Sequence, residues 1–344
     1  MKDVKDKLKA LNAKKVASLL FSRTVLVALL ILLQAGVLLV SMVFFSAYFV
    51  YFYWLCVALS LAAALVVINT QTDPGYKIAW LVPLLLFPVF GWLVYLLCGG
   101  NRLPKRLRNR MLGMDRKLVE VLDQDCKAEA LAPFGRDAVN QSRYLERYAH
   151  CPAYSNTYTR YFPLGDGAFP AMLEELRRAE RYIFIEYFII EPGIFWNSIA
   201  DILQEKYAAG VDVRVIYDDV GSLFTLPMAY ARKFEEATGI PCCVFNRFRP
   251  VLSIHMNNRD HRKLCIIDGH TAFTGGINLA DEYINAKVKF GHWKDCAILL
   301  KGEAAWSMAV MFLTMWEYIR GTGEDYGRFR PAALPTEAAR GRDY

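Results

Sequence analysis

Residues 261–278, HRKLCIIDGHTAFTGGIN, put a histidine two residues before a lysine, an aspartate five further on, and then a glycine pair and an asparagine. In an extended strand the side chains of His261 and Lys263 project from one face, because alternate residues share a side. That pairs a nucleophile or acid–base group with a fixed cation, a combination suited to an anionic phosphorus centre. Asp268 has the opposite parity to His261, but it opens the turn Asp268–Gly269–His270, where the chain can be re-aimed toward the histidine. The Gly275–Gly276 pair allows close backbone approach, and Asn278 supplies an amide donor. On residue chemistry alone the stretch reads either as a catalytic strand or as a solvated sheet edge that carries His and Lys.

Such a strand needs a sheet to hold it. After about residue 125 the sequence alternates amphipathic and β-branched runs. AFPAMLEELRRAE and NSIADILQEKYAAG read as helices, and RYIFIEYFII and VDVRVIYDD as strands. KLCIID, TAFTGG and DCAILL follow as strands, and AAWSMAVMFLTMWEYI as a long amphipathic helix. The alternation implies βαβ crossovers and a covered, largely parallel sheet. Glu186 and Asp218 fall at or near the carboxyl ends of two of these strands, where they either order the site or make structural hydrogen bonds.

The rest of the chain is membrane-like. Of 344 residues 55% are hydrophobic, and mean hydropathy is positive, too apolar for an ordinary soluble domain. Thr24 to Ile68 is 45 residues without a charge. One helix of that length would be about 67 Å, roughly twice a bilayer core, so the segment 24–69 must fold back as a hairpin of two transmembrane helices near 24–46 and 50–69. A third apolar segment, 77–98, is interrupted by Pro83, Pro88 and Gly91. Residues 1–117 carry 15 Lys/Arg against 4 Asp and no Glu, a net +11, while the remainder is −4. The basic tail 1–23 and the basic linker 99–125 should both lie inside, which three full crossings would forbid. The proline-interrupted segment is therefore expected to be re-entrant or interfacial. A basic excess beside apolar spans points to an anionic lipid leaflet; a nucleic-acid groove would need that stripe on the globular part. Eight scattered cysteines, with no CxxC spacing and no His/Cys metal cluster, read as reduced thiols of a cytosol-facing protein.

His261-x-Lys263-x4-Asp268 followed by Gly275-Gly276-x-Asn278 resembles the HKD motif of the phospholipase D superfamily, and its context is similar to bacterial cardiolipin synthases. FIEYFII (184–190), GVDVRVIYDDVGS (210–222), NNRDHRK (257–263), GGINLADEY (275–283) and HWKDCAILLKG (292–302) match that family in order, as does the membrane segment 77–97. The resemblance implies a phospholipase D-like α/β sandwich, a mixed sheet with flanking helices, over 126–344, preceded by N-terminal transmembrane helices. It implies phosphatidyl transfer between two phosphatidylglycerol molecules without metal or cofactor, in a multi-pass protein of the bacterial cell membrane whose catalytic domain faces the cytoplasm. His261 would form a phosphohistidine, Lys263 clamp the phosphate, and Asp268 hold the histidine's tautomer or charge. Gly275, Gly276, Asn278 and Glu186 would bind substrate, and Asp295 would support.

The family carries two HKD motifs. Among His150, His255, His270 and His292, none begins a second complete H-x-K-x4-D, and 66 residues follow Asn278, against the roughly 150 of another half-domain. The chain is thus expected to be half of a longer enzyme, one member of a homodimer, or a catalytically silent membrane-binding protein. A single-motif phosphodiesterase active as a homodimer is the further enzymatic alternative. The cleft beside His261 and Lys263 should be open on the side where the second half belongs.

Overall fold

The computed structural model describes residues 23–44, 48–99, 105–122, 128–248 and 258–340. Residues 1–22 of the basic tail 1–23, and residues 100–104 and 123–125 of the basic linker, lie outside them. The chain divides into an N-terminal helical unit and a larger unit, Leu103–Phe248 with Asn258–Tyr344.

The helical unit contains α1 (Arg23–Phe44), α2 (Phe49–Asn69), α3 (Pro74–Leu86) and α4 (Pro88–Cys98). Among the described residues α2 alone is both long and apolar enough to cross a membrane, its 21 residues giving about 31 Å. Within α1 the apolar stretch is the shorter Ile31–Phe44. The expected pair of full spans therefore rests on one helix here, and multi-pass insertion is not supported by helix length. Asp73 accepts hydrogen bonds from the Gly75 and Tyr76 amides, and Pro74 follows at the first helical position, so α3 begins where its orphan amides are satisfied. Pro88 cannot continue the ladder, and the third apolar segment breaks at Phe87 into two short helices. These fold against each other. Trp80 and Tyr95 meet edge-to-face at 5.3 Å, a side chain at Gly91 would sit 2.5 Å from Pro83 O, and the Tyr76 hydroxyl donates to Gly99 O at 2.8 Å. Both ends of the segment are thus side by side.

In the larger unit, α5 (Lys105–Leu122) and α6 (Arg136–Ala149) precede β1 (Thr157–Phe162), α7 (Gly165–Arg177), β2 (Tyr182–Tyr187), α8 (Ile194–Ala208), β3 (Asp212–Asp218), α9 (Tyr230–Thr238) and β4 (Cys242–Phe245). Then come β5 (Lys263–Ile267), β6 (Thr271–Gly275), β7 (Ala297–Gly302) and α10 (Ala304–Arg320). The seven strands form one sheet in the order β1-β7-β6-β5-β2-β3-β4. The expected βαβ crossovers are present, pairing β2 with β3 and β3 with β4 in parallel. The other four pairings are antiparallel, so the sheet is mixed rather than largely parallel. The physical reason is connection length: β5 and β6 are joined by Asp268–Gly269–His270, too short for a crossover, with Asp268 and Gly269 at positive φ.

Helices cover both faces. Ile183, Ile185, Val213, Val215, Cys265 and Phe273 pack toward Leu176, Ile199 and Leu203 of α7 and α8. The alternate residues Phe184, Ile216, Leu264 and Ile266 meet Val310, Phe312 and Trp316 of α10 and Leu122 of α5. The Phe184 and Phe312 rings stack at 4.5 Å. Strand β2, buried at all six positions, is a continuous apolar run broken only by Glu186.

Candidate active site

Lys263 opens β5, opposite Tyr187 of β2, and its side chain turns to the α7/α8 face with Cys265 and Ile267. It is 4% exposed, and its ammonium donates to the backbone carbonyl of His261 at 2.6 Å. Burial lowers its pKa, an effect opposed by the carboxylates of Asp260 and Asp295. His261 is exposed, with its ring 4.6 Å from that of Phe188, the residue that follows β2. The Lys263 ammonium lies 5.4 Å from the same ring. Histidine and lysine thus share one aromatic neighbour where β5 begins, although His261 itself precedes the strand. Phe188 has no marker in the sequence beyond its place at a strand end. A small cleft adjoins them, lined by Met172, Tyr187, Lys263, Phe273, Gly275 and Ile277.

Asp268 is not part of this group. It follows the strand that Lys263 begins, five residues or about 16 Å away at 3.3 Å per residue, and the turn does not bring it back. Its carboxylate accepts three backbone amides, Glu180 at 2.9 Å and Arg181 and Tyr182 at 2.8 Å each. Asp268 therefore fastens the start of β2 to the β5–β6 turn, and the expectation that it orients His261 is corrected.

Glu186, expected to bind substrate, is 0% exposed and sits opposite Leu264, on the face away from Lys263. Nε of Arg262 lies 3.0 Å from Glu186 Oε1 and 3.0 Å from Asp260 Oδ1. The residue between His261 and Lys263 is thereby held by two carboxylates. Burial pushes the Glu186 pKa well up, against the pull of Arg262. Asp218 makes the structural hydrogen bonds: it accepts from Val220 and Gly221 at 2.9 Å each and from the Asp260 amide at 3.0 Å.

The glycine pair serves the protein's own chain rather than a ligand. A side chain at Gly275, whose φ is 149°, would lie 2.3 Å from Cys296 O, and one at Gly276 would lie 2.0 Å from Asp295 Oδ1. The close approach is that of the strand entering β7, which corrects their expected role in substrate binding. It also puts the Asp295 carboxylate in the space Gly276 leaves empty, close enough to act on Lys263. Asn278, expected to bind substrate, is 2% exposed; it accepts from Ile189 N at 3.0 Å and donates to the Tyr283 hydroxyl at 2.9 Å. His292 and Lys294 repeat the two-residue spacing of the motif, but position 299 is leucine, and both side chains are exposed in the loop before β7. No group of three or more potential metal ligands occurs among the described residues.

Two family patterns match this chain: a phospholipase D-nuclease N-terminal region over residues 58–100 and a cardiolipin synthase phospholipase D-like domain over residues 172–307. An uncharacterized protein of Streptococcus mutans is 39% identical over 267 residues, covering 77% of this chain and 57% of that protein. Cardiolipin synthase 2 of Bacillus anthracis is 34% identical over 258 residues, covering 74% and 50%. The helix-covered mixed sheet with Lys263 at the start of β5 lies within the region matched by the phospholipase D-like domain. The chain belongs to the phospholipase D superfamily, in the family of the bacterial cardiolipin synthases. It spans about half the length of the curated relatives it matches.

Proposed function

We propose that this chain supplies one histidine half of a phosphatidyl-transferring site that makes cardiolipin from phosphatidylglycerol at a bacterial cell membrane. The observation that carries the reading is the pairing of an exposed His261 with a buried Lys263 on one aromatic platform. An imidazole nitrogen of His261 attacks the lipid phosphorus, the bond to the glycerol headgroup breaks, and the phosphatidyl group is left on the histidine. A second HKD histidine, from another phospholipase D-like unit, protonates the departing glycerol oxygen. The same group then removes the proton from a hydroxyl of a second phosphatidylglycerol, which attacks phosphorus and frees His261. Lys263 offsets the phosphoryl charge from a fixed position, where burial makes the attraction stronger than in water. We assign to Asp295, whose charge opposes the lowering of the Lys263 pKa, rather than to Asp268, the part of steadying that ammonium. One imidazole cannot be bonded to phosphorus and protonate the departing oxygen in the same step, hence the second unit.

The helical unit anchors the domain. We place α2 across the bilayer, paired with the segment 24–46, and read 77–98 as a hairpin that enters and leaves on one side. Helices of 13 and 11 residues reach only about 20 and 16 Å, short of the roughly 30 Å core, and the Tyr76–Gly99 hydrogen bond closes the mouth. That arrangement returns the basic linker to the side of the basic tail, in the cytoplasm.

The test is chromatography of phosphatidylglycerol vesicles incubated with the protein and a second HKD unit, with acid-labile phosphate on histidine measured in parallel. Cardiolipin and a His261 adduct are expected, and both should vanish in His261→Ala. Cardiolipin formation that survives this substitution would refute the assignment.

A further inference from the structure

The loop between the helical turn Asp281–Ile284 and β7 is constructed to hold two apolar side chains out of the protein. Residues 286–292 are all exposed. One side chain closes the loop's base: Asn285 accepts from Trp293 N at 2.7 Å and donates to Trp293 O at 3.1 Å. Above that staple, Lys287 and Lys289 alternate with Val288 and Phe290 through a run of bends, and the two kinds of side chain part company. The lysines turn back, Lys287 to Glu191 at 2.8 Å and Lys289 to the buried Glu282. Val288 and Phe290 are left 81% and 82% exposed. Inward from the tip, the Phe290 ring lies 6.2 Å from Trp293, Trp293 lies 4.8 Å from Tyr283, and Tyr283 accepts from Asn278. The tip is therefore coupled to the region of the candidate site.

It does not stand alone. Ile194, 57% exposed, begins α8, and its amide is held by Asp281. Phe224 and Met228, 67% and 80% exposed, belong to the loop after β3, which Thr225 ties to Ile190 O at 2.6 Å. Ile190 and Glu191 in turn join Leu279. These loops follow the carboxyl ends of β2 and β3 and precede β7, at the sheet edge that carries His261.

We propose that the 286–292 loop is an interfacial prong, with Val288 and Phe290 entering the surface of an anionic phospholipid bilayer and the site's mouth set against the headgroups. This rests on the reading of the substrate as a membrane phospholipid. Single apolar side chains on a projecting tip, with lysines at their base and exposed His292 and Lys294 at the foot, match a bilayer interface. Such an interface takes Phe and Val without a matching pocket while the ammonium groups stay at headgroup level. A protein partner would have to present a socket for each.

The test places an environment-sensitive fluorescent amino acid at position 290 of the full chain, with position 236 on α9 as the control. The protein is reconstituted in phosphatidylglycerol vesicles and, separately, kept in detergent. Emission at 290 should shift to the blue in vesicles and be quenched at least two-fold by a lipid-borne spin label, while 236 stays accessible to aqueous iodide. Quenching at 290 by iodide alone in vesicles would overturn the proposal. So would a blue shift that rises with protein concentration in detergent, which would assign the prong to a second protein unit. The readout does not require catalysis, so loss of phosphatidyl transfer and loss of membrane contact are separable.

Discussion

His261 and Asp268, the first and last residues of one motif, stand beyond opposite ends of β5, and only the histidine is at the site. Lys263 Nζ bonds to the His261 carbonyl at 2.6 Å, whereas Asp268 accepts the amides of Glu180, Arg181 and Tyr182. Asp268→Ala would leave three amides without their acceptor, and a loss of about 1–3 kcal/mol per buried orphan bounds the effect. The expected result is a marked fall in thermal midpoint with activity per folded molecule nearly kept. Differential scanning fluorimetry beside an assay with the second HKD unit supplied measures both. A normal midpoint with abolished turnover would restore Asp268 to the chemistry.

Gly276→Ala should do the reverse. Its new methyl group would meet the Asp295 carboxylate at 2.0 Å, a side chain that can move, so the fold survives while the carboxylate is displaced. We expect cardiolipin formation at least ten-fold lower, with the midpoint little changed. Gly275→Ala, at φ 149° and against the Cys296 carbonyl, should instead destabilise the protein. Circular dichroism melts beside turnover separate the two.

Glu186 gives a pH signature. Its pKa in the folded protein is well above the ordinary value, chiefly through burial, so the folded state holds a proton that the unfolded chain releases. Stability from this group is fully present below the unfolded pKa of about 4.3 and declines as pH rises from there through the raised folded value. Glu186→Gln should flatten that decline in thermal midpoint against pH. An unaltered pH profile would contradict a buried proton at this position.

Much of this was legible in the sequence. The β–α alternation gave the crossovers around β2, β3 and β4, whereas His261 precedes β5, so strand alternation does not govern its side chain. Asp268 was misplaced because spacing along a chain does not say which way a turn faces, and here three amides at the start of β2, some 86 residues earlier in sequence, capture the carboxylate. Glu186 was misassigned for a related reason: an acid in a strand looks alike whether it meets substrate or Arg262 across a strand pair. The glycine pair promised close approach without naming what approaches, which is Asp295–Ala297. Phe188 is one aromatic residue among many and gains meaning only from the two side chains it faces.

Membrane placement is open to direct labelling. Single cysteines introduced at Thr72 and Asn101, in a chain cleared of native cysteines, should react with a membrane-impermeant maleimide from the same, cytoplasmic side. Labelling from opposite sides in intact and opened cells would make 77–98 a full span and defeat the hairpin.

The most direct test of the central claim is turnover of phosphatidylglycerol by the purified 344-residue chain, held monomeric in detergent as verified by light scattering. With His261 bonded to phosphorus and no second HKD histidine to protonate the leaving glycerol, cardiolipin should form about 10²–10⁴-fold more slowly than when a second HKD unit is present. Robust cardiolipin formation by the monomer alone would contradict the account and require an acid within this chain.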